Sequence, residues 1–268
     1  MDIKIGIIGL GFVGNSIFES FKNKRIKNIF IYDKFKNNGL GNFDSCLKSQ
    51  ILFVALPTLF NKNINEYDKS SIVETFRKLN EKNYKGIILL KSTVEPEVTD
   101  IYSKEFKLKI VHNPEFLSAK TAYQDFHNQK HIVLGKGINC NNEDVNFIKG
   151  FYSHYYPDAE ISLCDSLESE SMKIFLNSFY SVKVQFFTEL YLLCENNGCN
   201  FNIVKKLMLK NGWINPMHTN VPGSDGNISY GGFCFPKDTN ALNNYMIKNN
   251  SPNQILNSTI KERNLLRD

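Results

Sequence analysis

Cys234 stands between a glycine pair, Gly231 and Gly232, and two opposite charges, Lys237 and Asp238, in the segment YGGFCFPKD. A structural cysteine sits among apolar neighbours, whereas a reactive one needs positive charge nearby, exposure and room for a substrate. The segment has the second character, although a simple turn is the plainer use of the glycine pair. Lys173 and Asn177 lie four residues apart in a long segment of helical period, which puts both on one helix face. Taken alone, such a pair is an ordinary solvated one. Ser92, Thr93 and Glu115 each follow a short apolar run, at the strand ends where ligands of parallel sheets collect.

Near the amino end, Gly9, Gly11 and Gly14 spell G-L-G-F-V-G between an apolar run and an amphipathic segment, and Asp33 ends the next apolar run, 19 positions past Gly14. The first glycine permits a tight turn, the second lets a pyrophosphate approach the backbone, and the third allows close packing of helix on strand. An acid at Asp33 suits the adenosine ribose hydroxyls and repels a 2′-phosphate, which favours NAD over NADP, with Lys34 beside it pulling the other way. A thiol, a lysine, carboxylates and a nicotinamide fingerprint together point to oxidation of a carbon beyond the aldehyde, through a covalent thiohemiacetal and thioester.

These groups need a scaffold, and the apolar pattern supplies one. Strands are expected from Lys4, over 28–34, over 51–58 up to the stop at Pro57, over 86–93, 108–116 and 131–137, and near 159–163, with helices after the glycine turn and over 72–79. Apolar strands alternating with helices, with polar residues just past the strand ends, predict an α/β fold with a doubly wound parallel sheet. The character changes after Cys164. Residues 165–198 hold no glycine or proline before Gly198 and carry an apolar stripe at Met172, Phe175, Leu176, Phe179, Val182, Phe186, Leu190 and Leu193, which predicts one long central helix. A shorter helix, a polar loop to Tyr230, and helices from about Thr239 and Gln254 follow. The expected division is a dinucleotide-binding domain over 1–163 and a helical substrate and dimerisation domain over 164–268 carrying the cysteine loop.

Composition narrows the class further. The 268 residues are 42% hydrophobic and 22% charged, enough apolar material for one large or two modest domains. The net charge of +5 is spread among asparagines and not gathered into a block, so no nucleic-acid partner is expected. Six cysteines without a CxxC pair or metal-like spacing read as reduced thiols, and no metal is expected. The longest apolar runs are too short to span a bilayer, and the start of the chain reads as a strand and not a leader, so the expectation is a cytoplasmic protein.

Six segments in order, IGIIGLGFVG, VALPT, KSTVEPEVTD, HNPEFLSAKTAYQDF, ESMKIFLNSFYSVKVQFFTEL and YGGFCFPKDTNAL, resemble the successive motifs of the UDP-glucose/GDP-mannose dehydrogenases over nearly the whole chain. The resemblance implies a Rossmann-type sheet and NAD-dependent, four-electron oxidation of a nucleotide sugar to its uronate, UDP-glucose to UDP-glucuronate first among the candidates. It implies Cys234 as the nucleophile, Lys173 as the group stabilising the oxyanion, Asn177 as its companion, Asp238 with Thr93 as the water-holding groups, and Glu115 as the acid of thioester hydrolysis. It implies cofactor contacts from Gly9, Gly11, Phe12, Val13, Gly14, Asp33, Lys34, Pro57, Thr58, Ser92 and Thr93. Substrate contacts fall to Glu115, Phe116, Leu117, Lys173, Asn177, Tyr230, Gly231 and Gly232. Apart from the resemblance, the long apolar-striped helix makes a homodimer the expected assembly.

Some positions depart from the family pattern. Ala119 and Lys120 stand where the family has a second acid and a glycine; Trp213 falls in a stretch that usually holds an arginine; the loop up to Tyr230 is longer; and a compact form without the family's usual second Rossmann-like domain is expected. Trp213, the sole tryptophan, is expected in a core, and His218 as a hydrogen-bonding loop residue. Two other readings stay open: a two-electron β-hydroxyacid dehydrogenase, which needs no cysteine, and a noncatalytic protein that binds NAD or a sugar nucleotide.

Overall fold

In the central strands successive side chains point to opposite faces, and both faces are buried. Ile5, Ile7, Phe53, Leu89 and Val111 enter one apolar cluster, and Ile8, Leu52, Val54, Ile88, Leu90 and Ile110 the other. Such two-sided burial is the mark of a sheet covered by helices on each face. The computed structural model of the protein describes residues 3–267. In chain order its elements are β1 (Lys4–Ile8), α1 (Phe12–Asn23), β2 (Asn28–Asp33), β3 (Leu40–Gly41), α2 (Phe43–Cys46), β4 (Ile51–Val54), β5 (Phe60–Asn61), β6 (Glu66–Tyr67), α3 (Ser70–Glu81) and β7 (Ile87–Leu90). They continue with α4 (Val98–Phe106), β8 (Lys109–His112), α5 (Ala122–His127), β9 (His131–Lys136), α6 (Asn142–Tyr155), β10 (Glu160–Asp165), α7 (Ser166–Asn197), α8 (Phe201–Leu209), α9 (Phe235–Lys248) and α10 (Gln254–Arg267).

The chain forms two compact units. The first runs up to Leu59 and resumes over Asp68–Lys173; the second takes Phe60–Tyr67 and everything from Ile174. In the first unit, eight strands among the described residues make one sheet in the order β10-β9-β8-β7-β4-β1-β2-β3. Pairing is parallel from β2 through β1, β4 and β7 to β8, and again between β9 and β10. The expected parallel sheet is found, with two antiparallel steps in it: β9 runs antiparallel to β8, with Val111 opposite Lys136, and short β3 runs antiparallel to β2. The reason lies in the connection. Residues 113–130 leave the end of β8 and enter β9 from that same end, so no crossover returns the chain to the far edge. The helix face over α1 and α6 is knitted by aromatic edges, with Phe21 at 5.2 Å from Phe53, 5.9 Å from Phe126 and 5.6 Å from Phe151. Each such contact adds about 1 kcal/mol beyond area burial.

In the second unit, the hairpin β5–β6 is a short antiparallel pair that packs with α9, and Tyr67 joins Ile174, Ala241, Leu242 and Leu256 in one small core. A further cluster of Phe187, Cys194, Phe201 and Val221 fixes the far part of α7 to α8. Helix α7 is a single element of 32 residues, as its lack of breakers predicts. Helix α9 begins at Phe235, four residues before the expected Thr239, because Pro236 in its first turn is pre-set for a helix start and costs no hydrogen bond there. No helix among the described residues is long and apolar enough to cross a membrane.

Candidate active site

The glycine turn between β1 and α1 has the shape its spacing calls for. Gly9 sits at φ +86°, and a Cβ there would lie 2.4 Å from the Ala55 carbonyl. A Cβ on Gly14 would lie 1.8 Å from the Gly9 carbonyl, whereas one on Gly11 would meet nothing within 4 Å. Two of the three glycines thus close the turn, and the third leaves its backbone open to an approaching group at the start of α1. That opening is what a pyrophosphate needs at a helix N-terminus. The residues present fit a dinucleotide.

Asp33, at the end of β2, is tied to this turn. Its Oδ2 accepts the Leu10 N–H at 2.7 Å, and its Oδ1 accepts the N–H groups of Phe35 and Lys36 at 2.9 Å. Partial burial alone would raise its pKa; the Leu10, Lys36 and Phe35 donors and the Lys36 charge outweigh that and hold the carboxyl below its ordinary value. The acid therefore stays ionised. Lys34 is turned to Glu74, at 2.9 Å, and lies on the surface. Phe12 is exposed and Val13 packs on the core.

The next two strand ends are locked together. Leu56 donates its N–H to Ser92 Oγ at 3.0 Å, Ser92 Oγ donates to the Leu56 carbonyl at 2.7 Å, and Thr58 Oγ1 donates to the Thr93 carbonyl at 2.7 Å. Ser92 and Thr58 thus hold the loops after β4 and β7, with Pro57 exposed between them. Loop 113–117 carries Glu115. Its Oε2 accepts the Leu117 N–H at 2.6 Å, and Lys173, 4% exposed, places Nζ 2.5 Å from the Glu115 carbonyl and 3.4 Å from Oε1. The same ammonium lies 5.3 Å from the centre of the Phe116 ring. Lys173 and Glu115, expected from distant segments, are in contact. Ala119 and Lys120 are exposed beyond them.

Beneath this loop are groups the sequence did not single out. Lys91 is fully buried and donates to Asn113 Oδ1 at 3.0 Å and toward the Pro114 carbonyl at 3.4 Å, while Asn113 donates to the Val133 carbonyl and accepts from Tyr152. Burial pushes its ammonium down to about 7, with Glu115 opposing and Lys173 adding to the fall. Burial, then the charges of Lys91 and Lys173, hold His112 neutral with a pKa near 3. Glu170 is 0% exposed and caps α4, accepting the Glu97 N–H at 2.8 Å and the Thr99 N–H at 2.7 Å. The signal for Lys91 was present: a lysine directly after the apolar run GIILL has to be buried or end the strand.

In the second unit Cys234 is exposed at the N-cap of α9. The positive end of a helix stabilises negative charge, which is what a thiol nucleophile needs. One turn on, Asp238 is 0% exposed; its N–H donates to the Cys234 carbonyl at 3.0 Å. Asn177, one turn past Lys173 along α7, donates to Asp238 Oδ2 at 2.5 Å, and Lys237 and Tyr67 both reach Oδ1 at 2.5 Å. Asn177 and Asp238, expected separately, are joined. Tyr230 is 2% exposed and its hydroxyl has no hydrogen-bond partner among the described residues; Gly232 has φ +77° and open space around it. Gly231 is filled from outside, since a Cβ there would lie 2.0 Å from Arg267 Nη1. The core position expected for Trp213 is not found: the ring is 92% exposed, while the adjacent Ile214 packs on the cluster of Phe187, Cys194, Phe201 and Val221. His218 instead packs by its ring, 4.5 Å from Tyr180 and 5.2 Å from Phe235. Among the described residues no cluster of metal-ligating side chains occurs.

Residues 41–155 match the NAD-binding domain of the UDP-glucose/GDP-mannose dehydrogenase family, and residues 167–264 match its central domain. The UDP-glucose 6-dehydrogenase of Campylobacter jejuni is 26% identical over 97% of this chain and 71% of its own length. That of Rickettsia conorii is 30% identical over 91% of this chain and 56% of its own. Several of the curated relatives are thus matched over little more than half their length. Among solved structures, a UDP-glucose dehydrogenase from Pyrobaculum islandicum superposes with a TM-score of 0.84 at 20% identity, covering 98% of this chain and 68% of that one. A UDP-D-ManNAc dehydrogenase from Pyrococcus horikoshii superposes with a TM-score of 0.82 at 16% identity, again over 98% of this chain and 69% of the other. At that identity the two structures speak for the fold. With both domain matches in chain order, the chain belongs to the UDP-glucose/GDP-mannose dehydrogenase family and carries its NAD-binding and central domains.

Proposed function

We propose that this chain catalyses the NAD-dependent oxidation of a nucleotide sugar's primary alcohol to the carboxylate, with UDP-glucose to UDP-glucuronate as the reaction. The observation that carries the reading is an exposed thiol at the N-cap of α9, one turn before a buried carboxylate held by Asn177. A two-electron alcohol dehydrogenase has no use for that thiol. The relatives named UDP-glucose 6-dehydrogenase supply the substrate.

NAD, when bound, accepts one hydride in each of two oxidations. Gly9, Gly11 and Gly14 would give its diphosphate room, Asp33 would take the adenosine ribose, and Thr93, on backbone fixed by Ser92 and Thr58, would contact it. After the first oxidation Cys234 adds through sulfur to the aldehyde carbon, and Lys173 steadies the oxyanion. Loss of the second hydride leaves a thioester on Cys234. Asp238 then orients a water, which attacks the thioester carbon and releases the carboxylate and the thiol; Glu115 serves as the acid–base partner of that step. One alcohol, one water and two NAD⁺ yield one carboxylate, two NADH and three protons. Tyr230, Gly231 and Gly232 belong to the substrate loop, and Phe116 and Leu117 line the sugar.

The exposed stripe of Phe175, Phe179, Phe186 and Leu193 along α7 repeats at heptad-like spacing and supports a homodimer through that face. Reduced thiols throughout suit a cytoplasmic setting.

Purified protein with NAD and UDP-glucose should release two NADH per sugar oxidised. Cys234→Ser should bind NAD and form no carboxylate. One NADH per substrate, or carboxylate made at the ordinary rate by the serine variant, would sink the covalent route.

A further inference from the structure

Tyr67 reaches the buried carboxylate of Asp238 from 171 positions away in the chain, at the end of a hairpin whose residues pack in the second unit while their flanks belong to the first. The ring is 1% exposed. Its hydroxyl donates to Asp238 Oδ1 at 2.5 Å, and Lys237 Nζ, which lies 4.5 Å from the centre of the Tyr67 ring, donates to the same oxygen at 2.5 Å. Asn177 takes the other oxygen. A carboxylate has about four acceptor positions. Here both positions of Oδ1 are filled and one of the two on Oδ2, so a single acceptor position is left, and its direction is set by the donors on the opposite oxygen.

Building on the proposed function, we propose that Tyr67 is a positioning residue for the hydrolytic half of the reaction: its hydroxyl fixes the plane of the Asp238 carboxylate so that the remaining Oδ2 position faces the attacking water. Two features of the chemistry follow. Both hydrides leave before water attacks, so a fault in the carboxylate's orientation spares both oxidations and slows only release of the acid. A phenylalanine at position 67 keeps the ring, its packing against the small core and its face toward Lys237, and removes only the hydroxyl. Lys237 alone cannot replace it. An ammonium on a flexible stem can approach a carboxylate oxygen from many directions, whereas a phenol set rigidly in the core approaches from one.

The test is Tyr67→Phe in the full chain, in rapid-mixing and steady-state assays with NAD and UDP-glucose. The expected result is a burst of about two NADH per active site followed by turnover slowed about tenfold, which is the rate change for one lost hydrogen bond of ordinary strength. KM should stay the same, and a mass increase on Cys234 should appear in quenched enzyme. Wild-type turnover without a burst, or a change confined to KM, overturns the inference. Urea unfolding of Tyr67→Phe, Asp238→Ala and the double variant gives a readout independent of activity. The tyrosine change should lower the midpoint when Asp238 is present and leave it unchanged in the Asp238→Ala background; equal shifts in both backgrounds refute the contact. If wild-type protein makes no NADH but the cycle shows coupling, the proposed reaction fails and the Tyr67–Asp238 link stands. If wild type makes two NADH and the tyrosine variant matches it, the positioning role fails alone.

Discussion

Glu97 occupies a conformation that an L-residue adopts at a cost. It has φ +80° and ψ −14° at the N-cap of α4, its side chain makes no cap, and it is exposed to solvent. The left-handed region costs a residue with a Cβ about 1–2 kcal/mol. The backbone is held there because Glu170 accepts the N–H of Glu97 and that of Thr99, buried hydrogen bonds of about 1 kcal/mol each. Replacing Glu97 with glycine keeps that N–H and lifts the steric cost, while the more flexible unfolded chain takes back about 0.5–1 kcal/mol. The net expectation for Glu97→Gly is a gain of about 0.5–1 kcal/mol. Glu97→Ala is the control, since alanine carries the same Cβ and should gain nothing. Urea titration followed by circular dichroism measures both: the glycine variant should raise the midpoint at unchanged slope, and the alanine variant should not. A glycine variant less stable than the parent, or an alanine variant equally stabilised, would refute the argument, the first by showing that the side chain contributes and the second that the backbone is not strained.

Glu170 gives a pH signature. Burial, partly opposed by the Thr99 and Glu97 donors, raises its pKa to about 7 from the ordinary 4.5. Between those values the unfolded chain releases the proton that the folded chain keeps, so stability falls as pH rises through the window and levels off above it, by about 3 kcal/mol in all. Wild type minus Glu170→Gln, followed by urea titration from pH 4.5 to 8, should fall by that amount; a difference that stays flat or rises would show that the two amides favour the charged form. For the loop before α9, Gly231→Ala should cost at least about 1 kcal/mol, because the new Cβ displaces Arg267 from the Ile228 and Ser229 carbonyls and from Asp225. The same change in an Arg267→Ala background should cost almost nothing, which a four-variant unfolding cycle checks.

The turn at Gly9, Gly11 and Gly14, Asp33 at the end of β2 and the unbroken run of α7 were legible because each is local: a spacing, a strand end, an absence of breakers. The antiparallel step from β8 to β9 was not, since an apolar run such as HIVLGKG reads the same in either direction. Tyr67 was out of reach for a different reason. Nothing in NINEYDK marks its tyrosine, and its meaning comes from a partner on α9. Lys91 had a signal in the apolar run before it, but what lets a lysine or Glu170 be buried is decided by tertiary partners: Asn113 and the Pro114 carbonyl for one, the first amides of α4 for the other. Trp213 misled because a large aromatic normally finds a core, and here its neighbour Ile214 takes the place on the core instead.

The three amide bonds on Asp33 carry a consequence for recognition. An adenosine ribose presents two hydroxyls, and a carboxylate accepting from Leu10, Phe35 and Lys36 has one acceptor position left, on Oδ2. On the placement of the cofactor proposed above, its adenosine end is read through a single hydroxyl, unless an amide is surrendered. Of the two singly deoxygenated ribose analogues, one should bind almost as well as the parent and the other should not.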